Sequence, residues 1–132
     1  MKPPSSVDGV VTFSEGLPGF EDHRQFLIVA SPDMEPFTVM KGVDAGGPSF
    51  VGVDPRMVDV RFEAVLNPTD LRRLSAHERE PLLWLALVAA QEDGSATANL
   101  RAPVVINPGT MRGIQLIAVD SPYRTNHPLP VG

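Results

Sequence analysis

Apolar and polar residues alternate along much of this chain, in short runs with a period of two. Val58-Asp59-Val60-Arg61-Phe62-Glu63-Ala64 is the cleanest case, apolar at even positions and charged at odd ones. That pattern predicts a strand with one wet face and one buried face. Ser95 to Leu100 alternates likewise, with Ala96, Ala98 and Leu100 on one side. Phe26 to Ala30 is continuously apolar and predicts a strand covered on both faces. Val10–Phe13, Phe37–Lys41, Phe50–Val53 and Gly113–Val119 complete the strand set.

Turn chemistry separates these runs. Leu17-Pro18-Gly19 places proline and glycine at the second and third positions of a tight turn. Ala45-Gly46-Gly47-Pro48 and Asp93-Gly94 read as hairpin connections. One short helix is predicted after Asn67, with Asn67 as cap, Pro68 in the first turn and Asp70 at the positive helix end. Leu71 and Leu74 then face the core, Arg72 and Arg73 face water, and the helix stops near Ala76. Leu82 to Ala90 is rich in helix formers. The Asp-Gly turn after it and the alternating run beyond assign it instead to a central hairpin strand. The expected fold is mainly β: a small antiparallel β-barrel or sandwich with one short helix. Residues 1–132 read as a single domain, flexible over 1–9 and irregular over the tail 121–132.

Composition narrows the class. A chain of this length buries roughly two-thirds of its unfolded surface, enough for one core. Eleven glycines and fourteen prolines stay below the level of low-complexity sequence. With no cysteine, disulfides and thiolate metal sites are excluded. There is no apolar leader and no run of about 18 apolar residues, so the expected location is the cytoplasm, away from the membrane. Net charge is −5, and the first fifty residues hold seven acids against three bases. Nucleic acid is therefore a poor partner, because that affinity comes from Lys and Arg neutralising phosphates. An acidic surface suits a basic protein partner, or simply solubility.

Catalytic equipment is not visible. His23, His77 and His127 form no H-x-x-x-H or H-x-H spacing. Glu21-Asp22, Asp33/Glu35 and Glu92-Asp93 all fall in or beside predicted turns, where carboxylates are solvated. No G-x-S-x-G, S-x-x-K or phosphate-loop pattern occurs. A small-ligand barrel and a small hydrolase are the rival classes; the first needs an open interior, the second converging acid–base groups. The stretch Thr97 to Asn107 carries the sharper question. Asn99 and Asn107 could pin a strand–Pro–strand turn around Ala102-Pro103, or dock a partner's backbone. Gly19 is expected at positive φ, Phe20 as a core plug, and Trp84 in the core.

The order of Gly16-Leu17-Pro18-Gly19-Phe20-Glu21, Pro36-Phe37, Val53-Asp54-Pro55, Thr97-Ala98-Asn99-Leu100-Arg101-Ala102-Pro103-Val104-Val105-Ile106-Asn107, Ile114-Gln115-Leu116-Ile117, Tyr123 and His127-Pro128 resembles the flagellar assembly factor FliW family. Met40-Lys41-Gly42 stands where that family often has Leu-Gln-Ser. The resemblance favours a strand for Leu82–Ala90. It implies a non-catalytic cytoplasmic protein, without cofactor, that binds flagellin and the RNA-binding translational repressor CsrA. It further implies that CsrA is antagonised allosterically, at a site away from its RNA groove. Candidate partner contacts are Glu21 and Asp22 near the start, and Asn99, Arg101, Pro103 and Asn107 along the later run.

Overall fold

The computed structural model describes residues 9–77, 80–117 and 120–129. Eight strands are seen there: β1 (Gly9–Thr12), β2 (Gln25–Val29), β3 (Phe37–Gly42), β4 (Ser49–Val53), β5 (Leu83–Ala90), β6 (Ala96–Asn107), β7 (Arg112–Gln115) and β8 (His127–Pro128). Two short helices, α1 (Pro55–Val58) and α2 (Pro68–Arg73), lie between β4 and β5. The expected flexibility of residues 1–8 lies outside the described residues, as do Ala118-Val119 of the seventh predicted strand and residues 130–132 of the tail.

Strands β1 to β5 form an antiparallel meander, β5 and β6 a hairpin, and β6 pairs with β7. One parallel contact, Thr12 opposite Arg112, joins β1 to β7 and closes a seven-stranded barrel. β8 adds to β6 at Thr97 and Ala98, so the expected irregular tail contains a short strand. Turns set the register where their chemistry predicts it. Gly19 (φ 87°) completes the Leu17–Phe20 turn, whose Phe20 N–H donates to the Leu17 carbonyl at 2.8 Å. Gly94 (φ 88°) sits in the β5–β6 hairpin, where Asp93 accepts from both the Ser95 hydroxyl and N–H.

The barrel interior is filled. Phe13, Phe26, Ile28, Met40, Leu85 and Ile106 meet there and are almost fully buried. Each such side chain contributes about 1.5–3 kcal/mol on leaving water. Phe13 and Phe26 pack edge to face at 5.6 Å. These side chains occupy the space that a ligand-holding barrel would leave open, which argues against that class. Two further clusters cover the outer face of β4–β7. Phe62 and Tyr123 close over Val53, Ala86 and Leu100, and α2 brings Leu74 onto Val105 and Ile114. Helix α2 starts as expected: Asn67 accepts from the Asp70 N–H and Asp70 from the Asn67 N–H, a reciprocal capping box.

Four expectations require correction. Val58–Ala64 is not a strand. Asp54 caps α1 by accepting from the Arg56 N–H, and Asp59 accepts from the Arg61 N–H in a tight turn. Val60 is left 85% exposed while Phe62 turns inward. Helix α1 thus joins α2 and a single helical turn at Pro32–Met34 as the short helical segments among the described residues. β2 is covered on one face only: Phe26 and Ile28 are buried, but Leu27 is 39% exposed on the barrel's outside. Phe20 is 40% exposed and leans edge-on against Phe50 instead of plugging the core. Finally, β6 runs unbroken through Pro103, with a register shift opposite β5 between Leu85 and Leu87 in place of a turn.

Candidate functional site

The register shift in β6 is built by Asn99. Its Oδ1 accepts from the Arg101 N–H at 3.1 Å and the Ala102 N–H at 3.0 Å. Those two amides face no partner strand at the shift, so the side chain takes the place of the missing ladder bonds. Pro103, which has no N–H, fits the next position, and its carbonyl accepts from the Leu116 N–H at 2.9 Å. Gln115 reaches back to the Ala102 carbonyl at 2.9 Å. The bent strand leaves Arg101 and Pro103 on the wall of a groove of about 440 Å³, together with Leu100, Leu116 and Tyr123.

Asn107 is 0% exposed. Its Nδ2 donates to the carbonyls of Leu74 (3.1 Å) and Ser75 (3.3 Å), and its Oδ1 accepts from the Gly109 N–H (2.9 Å). It ties the C-terminal end of α2 to the β6–β7 turn. Thr110 adds a bond to the same Leu74 carbonyl at 2.8 Å. Glu80 joins from the far side: its pKa is lowered by the His77 N–H first and by Asn107 next.

The acids near the start occupy a different place. Glu21 Oε2 accepts from the Gly19 N–H at 2.9 Å, and this backbone bond holds its carboxyl below the ordinary range. Glu21 lines a recess of about 230 Å³ with Glu15, Asp70 and Arg73, where Arg73 pairs with Glu15 and with Asp70. Asp22 is exposed beside it and does not line the recess. The structure therefore brings Arg101 and Pro103 into one groove and sets Glu21 in another. Asn99 and Asn107 are placed within the scaffold.

Sequence reasoning missed a third surface. Ala64 lines the Arg101 groove and two more cavities, of about 240 and 460 Å³, both walled by Leu82 and Trp84. Trp84 is half-buried, meeting Phe62 edge to face at 6.1 Å. A single tryptophan in a hydrophobic run was the available signal, since that residue is favoured at binding hot spots. Outside β2–β5, Val29, Val39, Val51 and Val88 also form a row of direct cross-strand neighbours.

The described residues contain no group of three His, Asp or Glu side chains placed to hold a metal ion. Glu92 belongs to the β5–β6 hairpin loop, Asp33 to a single helical turn before β3, and Glu21 to the recess, so these carboxylates do not share a cleft. No helix among the described residues is long and apolar enough to cross a membrane.

Comparison with known proteins places this architecture. The model of the family described as "FliW protein" matches residues 4–129. The chain is 35% identical over 121 residues to the flagellar assembly factor FliW of Anoxybacillus flavithermus, covering 91% of this chain and 83% of that one. It is 34% identical over 124 residues to the factor of the same name from Natranaerobius thermophilus, covering 92% and 82%. A crystal structure of the flagellar assembly factor FliW superposes with a TM-score of 0.83 at 27% identity, over 92% of this chain and 86% of that one.

Proposed function

The chain belongs to the FliW family, and from that premise we propose that it is a non-catalytic cytoplasmic docking protein with two alternative partners, flagellin and CsrA. Flagellin held in the cytoplasm occupies it and leaves CsrA free to repress. Once flagellin is exported, the vacated protein takes up CsrA at a site away from the RNA groove and relieves repression of flagellin translation. The observation that carries this reading is the family match across nearly the whole chain. The filled barrel interior supports it, because binding is left to the outer grooves.

Two ligands that exclude one another on a single domain form a sensor governed by mass action. Its set point follows from two dissociation constants and two concentrations, with no bond made or broken. The chain's net charge of −5 favours rapid encounter with a basic repressor.

The test is size-exclusion chromatography of the purified protein with flagellin and, separately, with CsrA from the same organism. Each mixture should co-elute, and excess flagellin should displace CsrA. RNA bound to CsrA should be released without competing for the contact. Micromolar mixtures that elute as separate components would defeat the proposal, as would a ternary complex in which both partners stay bound.

A further inference from the structure

We propose that the groove between residues 62–66 and the start of β5 is a strand-addition site. Its occupant is an extended basic peptide whose alternate side chains are apolar. The inference stands apart from the identity of the partners above, because it rests on unpaired backbone.

Residues 62–67 run without helix, turn or bend, and none has positive φ. Phe62 and Leu66 pack inward, Val65 is 87% exposed on the other face, and Ala64 between the two anchors is left exposed, so the inward face is open at that position. The Glu63 N–H donates to the Tyr123 hydroxyl at 2.9 Å. Among the described residues, no hydrogen bond reaches the N–H groups of Ala64, Val65 and Leu66, or the carbonyls of Glu63, Ala64 and Val65. Successive amides of an extended chain point to opposite sides. Those of Ala64 and Leu66 therefore point away from Tyr123, toward the cavities walled by Leu82 and Trp84.

The opposite wall is also an open edge. Pairing of β4 with β5 ends at Val53 opposite Ala86, because the chain leaves the sheet at Asp54 to enter α1. Leu83, Trp84 and Leu85 thus lie beyond the reach of β4, although they remain paired to β6. Two backbone edges flank one groove, and an unpaired edge is a template for another extended chain.

The walls specify the occupant. Ala64 carries only a methyl group, leaving room beside Leu82, Trp84 and Leu71 for a branched apolar side chain. Glu63 faces outward, so a lysine is favoured opposite it. Glu80 and Asp54 at the groove add negative charge against a single Arg56.

The experiment uses the full chain, isotope-labelled, and a short acetylated peptide alternating lysine with isoleucine. Three controls accompany it: the same peptide N-methylated at alternate backbone nitrogens, a glutamate-for-lysine copy, and the protein variant Ala64→Pro. At saturation, hydrogen exchange at the Ala64 and Leu66 amides should slow by about ten-fold or more, with β6 amides unchanged. N-methylation should weaken binding by about ten-fold, as should Ala64→Pro, which removes one free N–H without breaking a hydrogen bond within the chain. If that variant does not fold, the N-methylated peptide decides alone. Absence of binding at millimolar peptide overturns the proposal. So does binding that leaves Ala64 and Leu66 unprotected, or equal affinity for the N-methylated or glutamate copies.

Discussion

Asn107→Ala is the substitution for which the structure yields the clearest magnitude. The side chain makes three hydrogen bonds and is wholly buried. Each bond is worth about 1 kcal/mol net, and a buried partner left unsatisfied costs about 1–3 kcal/mol. The partners differ in what they keep. The Leu74 carbonyl retains the Thr110 hydroxyl, while Ser75 and Gly109 are exposed and can turn to water. The loss should therefore sit near the sum of the net values, about 2–3 kcal/mol, with no added desolvation penalty. For a chain of this size that corresponds to a fall of roughly 10 °C in Tm. Urea titration followed by tryptophan fluorescence measures it directly, with an unchanged slope showing that the unfolding reaction is the same. A loss below about 0.5 kcal/mol would refute the assignment of Asn107 as the tie between α2 and the β6–β7 turn.

Asn107→Asp sharpens the same argument. It replaces a double donor by an acceptor facing two carbonyls, and adds a carboxylate beside Glu80. Burial and repulsion raise the new group's folded-state pKa above the ordinary aspartate value of about 3.9. A raised pKa means that the penalty is absent below about pH 4 and grows as pH climbs through the folded value. Asp should thus be worse than Ala at neutral pH, and the gap should narrow on acidification. An aspartate variant as stable as the alanine one at pH 7 would contradict this.

Further outcomes test the packing and the turns. Gly113→Ala puts a methyl group 2.6 Å from the fully buried Phe13 ring and should cost about 1–3 kcal/mol in urea unfolding. Phe62→Ala removes the ring that joins Trp84 and Tyr123 and should cost about 3–5 kcal/mol, whereas Tyr123→Phe, losing bonds only to exposed backbone, should cost at most about 1 kcal/mol. Asp93 is held below its ordinary 3.8 by the Ser95 hydroxyl and then by the Ser95 N–H. A depressed acid stabilises above its unfolded pKa and loses that effect as pH falls through the folded value. Ser95 amide protection, measured by NMR, should therefore hold from neutral pH to about pH 4 and decline only below it.

Local chemistry was legible where one or two residues decide the backbone. Leu17-Pro18-Gly19, Asp93-Gly94 and the Asn67–Asp70 capping box all form as their side chains dictate. Leu82–Ala90 also forms a strand, because pairing with β4 and β6 overrides its helix propensity. Phe26–Ala30 misled because a continuous apolar run does not reveal whether its second face is covered, and Leu27 and Val10 stay uncovered as direct neighbours on the barrel wall. Proline in the later run suggested a turn, yet an irregular position in a strand needs no N–H there and accepts Pro103 without interruption. The placement of candidate residues shows the same limit. Asn99 and Asn107 each use their amides on backbone within the chain, and nothing in their spacing distinguished that from an outward role.

Val58–Ala64 failed for a different reason, and the failure is physically instructive. A period of two encodes a preference for extended backbone and for one buried face; it does not supply a neighbouring strand. In this chain the first half is captured locally by the Asp54 cap and the Asp59 turn, each a short-range bond that competes with extension. The second half, from Phe62 onward, does extend, with Phe62 and Leu66 packed inward and Ala64 exposed between them, but it pairs with no strand among the described residues. The barrel's nearest strand, β5, keeps Leu83–Leu85 paired to β6 and leaves their other edge across the groove, because β4 ends at Val53. The strand-like pattern and the unpaired backbone thus have one cause: these residues are suited to a sheet, and among the described residues no strand pairs with them.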